Sequence, residues 1–360
     1  MNEMAALTLA VMTNNASNPN LQSTDNQPSH VSLGRGGPRV FPLALGCMGM
    51  GAGSFYGNAD EAEGIATIHA ALDAGVNLID TGDFYSTGKN ELLVGKALAG
   101  SRRQGALLSV KFGALRSPDG GFLGYDARPA ATKNALAHSL SRLGVDYIDI
   151  YRPARLDPNV PIEDTIGAIA EMVKAGYVRY IGLSEVGPET IRRAASVHPI
   201  VDLQIEYALI TRGPEKEIFP TLSELGIATT AYGVLSRGLL TGSRPQGPND
   251  FRAHLPRFHG ENGDKNRMLA DRLAALATSR GVPASHLAIA WVRAKANAQN
   301  VTAIPTIGAR TRTQLQDALA ALRVSLSADD LAELEAAVPA SEVVGTRYAA
   351  PQMATLDSEK

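Results

Sequence analysis

The sequence predicts a single (β/α)8 barrel, an α/β fold, and three observations lead there. Apolar strand-like runs alternate with helix-period segments from Val40 onward, which demands a parallel sheet with helices outside it. Eight such runs can be counted, the number that closes into a barrel. The polar residues that stand out lie just beyond the C-terminal ends of these runs, the face on which barrel enzymes keep their chemistry. A chain of 360 residues has room for two small domains, but a barrel routinely takes this length as one.

In order, Val40–Leu45 reads as a first strand and Gly46–Gly51 as a glycine-rich turn that lets a ligand approach backbone. Helical spacing runs from Asp60 to Ala74, before Gly75, and Val76–Ile79 is the second strand. A helix over Asn90–Leu98 precedes the strand Leu107–Gly113, and a long loop passes through Pro118–Gly121. The helix Arg128–Leu143 stops at Gly144, and Val145–Tyr151 is the fourth strand. Pro161–Ala175, Pro188–Val197 and Pro214–Leu225 are helices between the strands Val178–Leu183, Ile200–Ile205 and Ala228–Ala231. A polar loop from Gly233 to about Lys265 leads to helices from Met268 and Ala284, the strand Val301–Ile304 and a helix over Thr311–Leu322. The alternative, an open doubly wound sheet, lacks its Gly-x-Gly-x-x-Gly turn. Residues 1–30 read as a disordered tail or a misassigned start, 31–340 as the barrel and 341–360 as a C-terminal tail.

Composition narrows the function. A net charge of −2 with basic residues spread evenly offers no stripe for nucleic acid, and no run approaches a membrane span. The charge pattern points to a small-molecule ligand, and the one cysteine, Cys47, cannot form an internal disulfide, so a reducing, cytoplasmic setting is expected. No metal-ligand cluster is expected, and the oligomeric state is left open.

The second strand runs through Leu78-Ile79-Asp80-Thr81-Gly82-Asp83-Phe84-Tyr85, and the third ends on the lone Lys111. A free phenol has a pKa of about 10. A nearby ammonium lowers it, and a carboxylate keeps that ammonium charged and placed, so Asp80, Tyr85 and Lys111 read as a tuned acid that protonates a carbonyl oxygen.

At these residues, and at the following Gly88-Lys89-Asn90-Glu91, the chain resembles the aldo-keto reductase superfamily. The resemblance runs from about Val40 to Val338 and implies a catalytic group of Asp80, Tyr85 and Lys111. It implies NADPH as cofactor, with Ser184 and Gln204 holding the nicotinamide carboxamide and Tyr232 stacking on the ring. Gly233, Leu235, Arg237, Gly238 and Leu240 fall in the matching cofactor loop, and Asn249–Arg252 with Pro256–Phe258 in one that closes over the pyrophosphate. Gly308, Arg310 and Gln314 open the last helix, where Arg310 takes the 2′-phosphate and Gln314 the adenine. From the residues alone, Ser184 as a helix cap and Gln204 as a partner of barrel-end backbone are equally good readings.

The family's Tyr-Gln-x-His-Arg-x-Asp pattern stands here as Tyr151-Arg152-Pro153-Ala154-Arg155-Leu156-Asp157, so Ala154 occupies the catalytic histidine position. Arg152 and Arg155 are candidates to bind a carbonyl oxygen or an anionic substrate group, or to form salt bridges; a loop imidazole, His254 or His259, is a further candidate. Met48, Phe55, Tyr56, Phe84, Arg152 and the Gly233–Lys265 loop are expected to line the substrate pocket. Glu185 replaces the usual carboxamide-binding Asn and is expected to accept from the amide NH2, and Ala318 replaces an adenine-side Asn. The Pro153–Pro158 and Gly182–Val186 segments are similar to pyridoxal-reductase-like proteins and to bacterial reductases of 3-keto trichothecene mycotoxins. The expectation is therefore an NADPH-dependent carbonyl reductase. A non-catalytic NADPH-binding sensor is its rival, and a phosphate-binding isomerase finds little support.

Overall fold

The computed structural model describes residues 28–51, 53, 54, 56, 59–247 and 250–360. The expected tail at 1–30 therefore lies almost wholly outside the described residues, as do Phe55 and Asn249. Eight parallel strands close into a barrel in the order β6-β7-β8-β1-β2-β3-β4-β5. They are β1 (Ala44–Gly46), β2 (Leu78–Gly82), β3 (Leu107–Phe112), β4 (Ile148–Pro153), β5 (Val178–Ser184), β6 (Ile200–Glu206), β7 (Ala228–Tyr232) and β8 (Ala303–Ile307).

Helices α1 (Glu61–Asp73), α2 (Lys89–Ala97), α3 (Pro129–Leu143), α4 (Ile162–Lys174), α5 (Pro188–Val197) and α6 (Ile218–Leu225) follow the first six strands. Their ends are set by local chemistry. Asp60 accepts from Ala62 N at the start of α1, and Gly144 and Gly226 close α3 and α6 in the left-handed conformation. After β7 come α7 (Gly260–Ser279) and α8 (Ala284–Asn297), and after β8 come α9 (Arg312–Ala320) and α10 (Ala328–Ala337). Among the described residues no helix is long and apolar enough to cross a membrane.

The structure departs from the sequence reading at four places. The run read as the first strand divides: Arg39–Val40 pairs with Val31–Ser32 in a hairpin, and only Ala44–Gly46 joins the barrel. The loop through Pro118 carries a second hairpin, Ala114–Arg116 with Phe122–Tyr125. Helix α7 begins at Gly260, eight residues before Met268. Residues 341–360 are no loose tail; they form a strap over the barrel, with Arg347 and Leu356 buried.

Strand periodicity sets the interior. Alternate residues face the barrel axis, so Leu78 and Asp80 share a side, as do Leu107, Ser109 and Lys111, then Ile150 and Arg152, and Ala228, Thr230 and Tyr232. At the N-terminal end Ala44, Leu78, Ile150, Ala228 and Ile304 cluster with Leu33 and Val40 of the hairpin, which plugs the barrel. The larger apolar core lies between strands and helices. Toward the C-terminal end the interior turns polar, and the site stands there.

Candidate active site and cofactor cleft

Adjacent strands bring Asp80 and Lys111 together. Asp80 is registered against Ser109 and Gly82 against Lys111, so the ammonium reaches back two pairs and forms a buried ion pair and hydrogen bond with the Asp80 carboxylate. The Lys111 Nζ also stands 5.0 Å from the centroid of the Tyr85 ring. Tyr85 begins the turn after β2, 6% exposed, with the edge of Phe84 against it at 4.8 Å between centroids. The turn continues through Ser86 and Thr87 with φ of 48° and 52°, a left-handed path that L-residues rarely take. All three expected catalytic residues therefore meet at the barrel mouth.

The electrostatics differ from the sequence expectation. Burial, then the nearby Asp80 charge, holds the Tyr85 phenol well above its ordinary pKa, and Arg155 opposes this. Burial also lowers the Lys111 ammonium, with Asp80 working against it. The lysine is engaged by Asp80 and meets the tyrosine through its ring face, so the phenol is kept protonated rather than eased toward phenolate. A proton donor needs that state.

Beneath the ion pair lies a polar layer that the sequence reading missed. Asp80 Oδ2 accepts from the Ser109 hydroxyl at 2.9 Å and from Gln204 Nε2 at 2.9 Å. The Ser109 oxygen accepts from Arg152 Nη2 at 3.0 Å, and Arg152 Nη1 meets Asp202 at 2.9 Å and Thr230 at 3.3 Å. Arg152 and Asp202 are both 0% exposed. Arg152 is therefore no wall of an open pocket, as the sequence reading had it. Its position in β4, in phase with Ile150, turns it into the barrel. Period two alone would have found Ser109, two residues before Lys111 in β3.

Arg155, just past β4, differs. Its Nη1 bonds the Ala154 carbonyl at 2.6 Å and reaches Ser184 Oγ at 3.5 Å, and it forms no ion pair among the described residues. Ala154 is buried at 2% exposure. The expected loop imidazoles of His254 and His259 are exposed.

The later strands bring the expected cofactor residues to one side of the mouth. Ser184 and Gln204 are registered partners at the ends of β5 and β6, and Tyr232 ends β7 beside Glu206. Gln204 gives its amide nitrogen to Asp80, and its carbonyl oxygen carries no hydrogen bond among the described residues. That oxygen suits an amide NH2. After β7, Gly233 takes φ +66° and Gly238 φ +89°, with Leu235 before and Leu240 inside the turn Ser236–Thr241. A Cβ on Gly238 would lie 2.7 Å from Ser243 Cβ, so the close turn requires glycine. Arg237 pairs with Glu206 at 2.9 Å.

After the adjacent strand β8, Gly308 leads into α9, which Thr311 caps, and Gln314 accepts from Arg310 N at 2.8 Å. Arg312 is bound to Glu63 at 2.9 Å, whereas Arg310 has no carboxylate partner among the described residues. An unpaired guanidinium at a helix N-terminus fits a phosphate. Met48, in the turn after β1, is half-buried. In the loop over this side, Arg252 bonds Asp250, Ser243 and the Arg237 carbonyl, and its guanidinium lies 5.7 Å from the Tyr56 ring.

The aldo/keto reductase family model matches residues 42–339. The chain belongs to this family. Probable aldo-keto reductase 1 of Glycine max is 40% identical over 331 residues, covering 90% of this chain and 93% of that protein. Among solved structures, a holo aldo-keto reductase from Bacillus halodurans is 30% identical with a TM-score of 0.71, covering 87% of this chain and 97% of its own. A glycerol dehydrogenase from Gluconobacter oxydans is 29% identical with a TM-score of 0.75, over the same shares. The chain is thus an aldo/keto reductase, an oxidoreductase of carbonyl and alcohol groups dependent on a nicotinamide cofactor.

Glu185 corrects one expectation of the carboxamide site. Its carboxylate is fully buried and takes five donors: Glu206 N, the Tyr232 hydroxyl, both terminal nitrogens of Arg347 and the Ser358 hydroxyl, at 2.6 to 3.0 Å. A carboxylate has about four lone-pair sites, so nothing remains for an amide NH2.

Proposed function

We propose that this aldo/keto reductase is an NADPH-dependent carbonyl reductase in which Tyr85 is the proton donor. The observation that carries the reading is the meeting of Tyr85, Lys111 and Asp80 at the mouth, with Asp80 bonded to Gln204. When bound, the cofactor supplies the hydride for the carbonyl carbon. Tyr85 gives its phenol proton to the carbonyl oxygen, and the strand-borne Lys111–Asp80 pair holds the ring at its post. Ser184 and the free oxygen of Gln204 receive the carboxamide, Tyr232 offers a flat face to the nicotinamide ring, and Arg310 takes the 2′-phosphate, which selects NADPH over NADH.

Ala154 has no side chain to orient a carbonyl. Arg155, the next residue, is a cation without an ion pair among the described residues and close enough for its charge to act on Tyr85, so it takes the orienting role as a hydrogen-bond donor. Met48 and Phe84 supply apolar wall. The substrates to test first are pyridoxal-like aldehydes and bulky cyclic ketones of the 3-keto trichothecene kind.

NADPH consumption is measured at saturating cofactor with pyridoxal, simple aldehydes, diketones and a bulky cyclic ketone, for wild type and Tyr85→Phe. Turnover by wild type and loss of about 10²–10⁴-fold in the variant, with NADPH still bound, is the expected outcome. Tight NADPH binding with no turnover by wild type overturns the reductase reading in favour of a cofactor sensor.

A further inference from the structure

The C-terminal strap is built into the cofactor side of the mouth. Val344 is clamped by the Asn266 side chain at 2.8 and 3.1 Å, and Gly345 gives its carbonyl to Arg257 at 3.2 Å. Arg347 then enters, 4% exposed, and grips Glu185 with two parallel bonds of 3.0 and 2.8 Å. It stands 3.6 Å from Glu206 and 2.7 Å from Glu359. The next residue, Tyr348, places its hydroxyl 3.0 Å from the Tyr232 hydroxyl. The strap returns to the same strand end, where Ser358 bonds Glu185 at 2.6 Å and Asp357 accepts from Gly187 N at 2.8 Å. A Cβ on Gly187 would lie 2.9 Å from the Asp357 carbonyl oxygen, so strap and loop are in direct contact.

Glu185 is the hub of this arrangement. It sits next to Ser184 with φ +53°, a left-handed conformation that is unfavourable for a glutamate and persists only when surroundings enforce it. One of its oxygens receives the Tyr232 hydroxyl at 2.7 Å. Glu206, the second acid on Arg347, pairs with Arg237 on the loop after β7. Of the three carboxylates that Arg347 meets, two hold a residue of the proposed cofactor site: Glu185 holds Tyr232 and Glu206 holds Arg237.

We propose that Arg347 is a positioning residue of the nicotinamide site: by locking Glu185 it fixes Tyr232, so that full cofactor affinity requires the latched C-terminal strap. The proposal rests on the nicotinamide lying by Ser184, Gln204 and Tyr232. Coupling of this kind is reciprocal, so bound cofactor also tightens the strap.

The test uses the full chain and equilibrium readouts. NADPH dissociation constants are measured from cofactor fluorescence, and thermal midpoints are taken in parallel, for wild type, Arg347→Lys, Arg347→Met and the double variant Arg347→Met with Glu185→Gln. Arg347→Met strands a buried carboxylate and loses stability, whereas the double variant removes both charges and recovers it. The expected result is NADPH binding weakened about tenfold or more in the double variant despite its recovered midpoint, with Arg347→Lys closer to wild type. Hydrogen exchange over residues 345–358 of wild type slows on adding NADPH. A double variant that regains wild-type affinity along with its stability, or exchange unmoved by NADPH, overturns the proposal and leaves Arg347 a fold-supporting residue. Wild type that binds neither NADPH nor NADH overturns the cofactor assignment, and the proposal with it.

Discussion

Ser109 donates its hydroxyl to Asp80 at 2.9 Å while accepting from Arg152 at 3.0 Å, so the carboxylate that holds Lys111 is itself held from below. The chain of contacts runs from Asp202 through Arg152 and Ser109 to Asp80, all inside the barrel. Its residues come from β2, β3, β4 and β6, which makes the site's floor a property of the closed sheet rather than of any loop.

That floor is costly to break. Arg152→Met leaves Asp202 charged, buried and paired only with Thr230, and removal of one partner of a buried pair costs about 3–5 kcal/mol. Urea unfolding is expected to show a loss of this size. The double variant Arg152→Met with Asp202→Asn is expected to recover a substantial part of it, because no buried charge is left alone.

As the proposed proton donor, Tyr85 would set the pH dependence of carbonyl reduction. Burial and Asp80 hold its phenol above the usual range, whose ordinary value is about 10. The donor form therefore persists across neutral and mildly alkaline pH, and kcat for carbonyl reduction is expected to be flat from roughly pH 6 to 9 on this group's account. Alcohol oxidation by the same enzyme needs the phenolate and is expected to climb throughout that range. A reduction rate that falls around pH 7 would point to a different donor.

The barrel was legible because its strands are short apolar runs cut by glycine, and Asp80 and Lys111 stood out as charged residues ending such runs. Elements whose buried side is not apolar escaped. Helix α7 opens with Gly-Glu-Asn-Gly-Asp-Lys-Asn, and its inward residues there are Gly263, pressed against the Phe258 carbonyl, and Asn266, bonded to Arg257 and Val344. No hydrophobic stripe marks such a turn. The strap is similar: Arg347 is buried by ion pairs to Glu185, Glu206 and Glu359, and a lone arginine near a C-terminus carries no sign of that. Arg152 and Arg155 show the limit within one pattern. They are three residues apart, yet the strand turns one inward onto Asp202 and the chain beyond it leaves the other at the mouth.

Asp83, two residues before Tyr85, gives stability its own pH dependence. Burial pushes its carboxyl up to about 7; Gly113 N and Arg142 oppose this, and Glu91 adds to it. Glu91 is itself buried and raised, bonded to Arg142 at 2.5 Å. An acid with a folded pKa above its unfolded one, about 4, binds more protons when folded, so stability falls as pH rises between the two. The contribution is fully present below about pH 4 and is lost as pH passes 7. Asp83→Asn removes this slope, and its unfolding midpoint relative to wild type is expected to rise from pH 5 to pH 8. Parallel curves for the two proteins would exclude the titration.

In the proposed cofactor site, the choice of NADPH over NADH rests on Arg310. Arg312, two residues on, is engaged by Glu63, while Arg310 stands at the opening of α9 with its backbone N–H on Gln314 and no carboxylate beside it among the described residues. A hydrogen bond to a charged group contributes about 1.5–3 kcal/mol, which corresponds to roughly 10–100-fold in affinity. Arg310→Ala is expected to weaken NADPH by that factor and to leave NADH within about twofold, since NADH has no phosphate for this group to meet. Arg312→Ala serves as the control: it removes a guanidinium of equal charge two residues away, already paired with Glu63, and is expected to move neither affinity by as much. Equal weakening of NADPH and NADH by Arg310→Ala would mean that the residue supports the first turn of α9 rather than the 2′-phosphate, and titration of both variants with both cofactors separates the two.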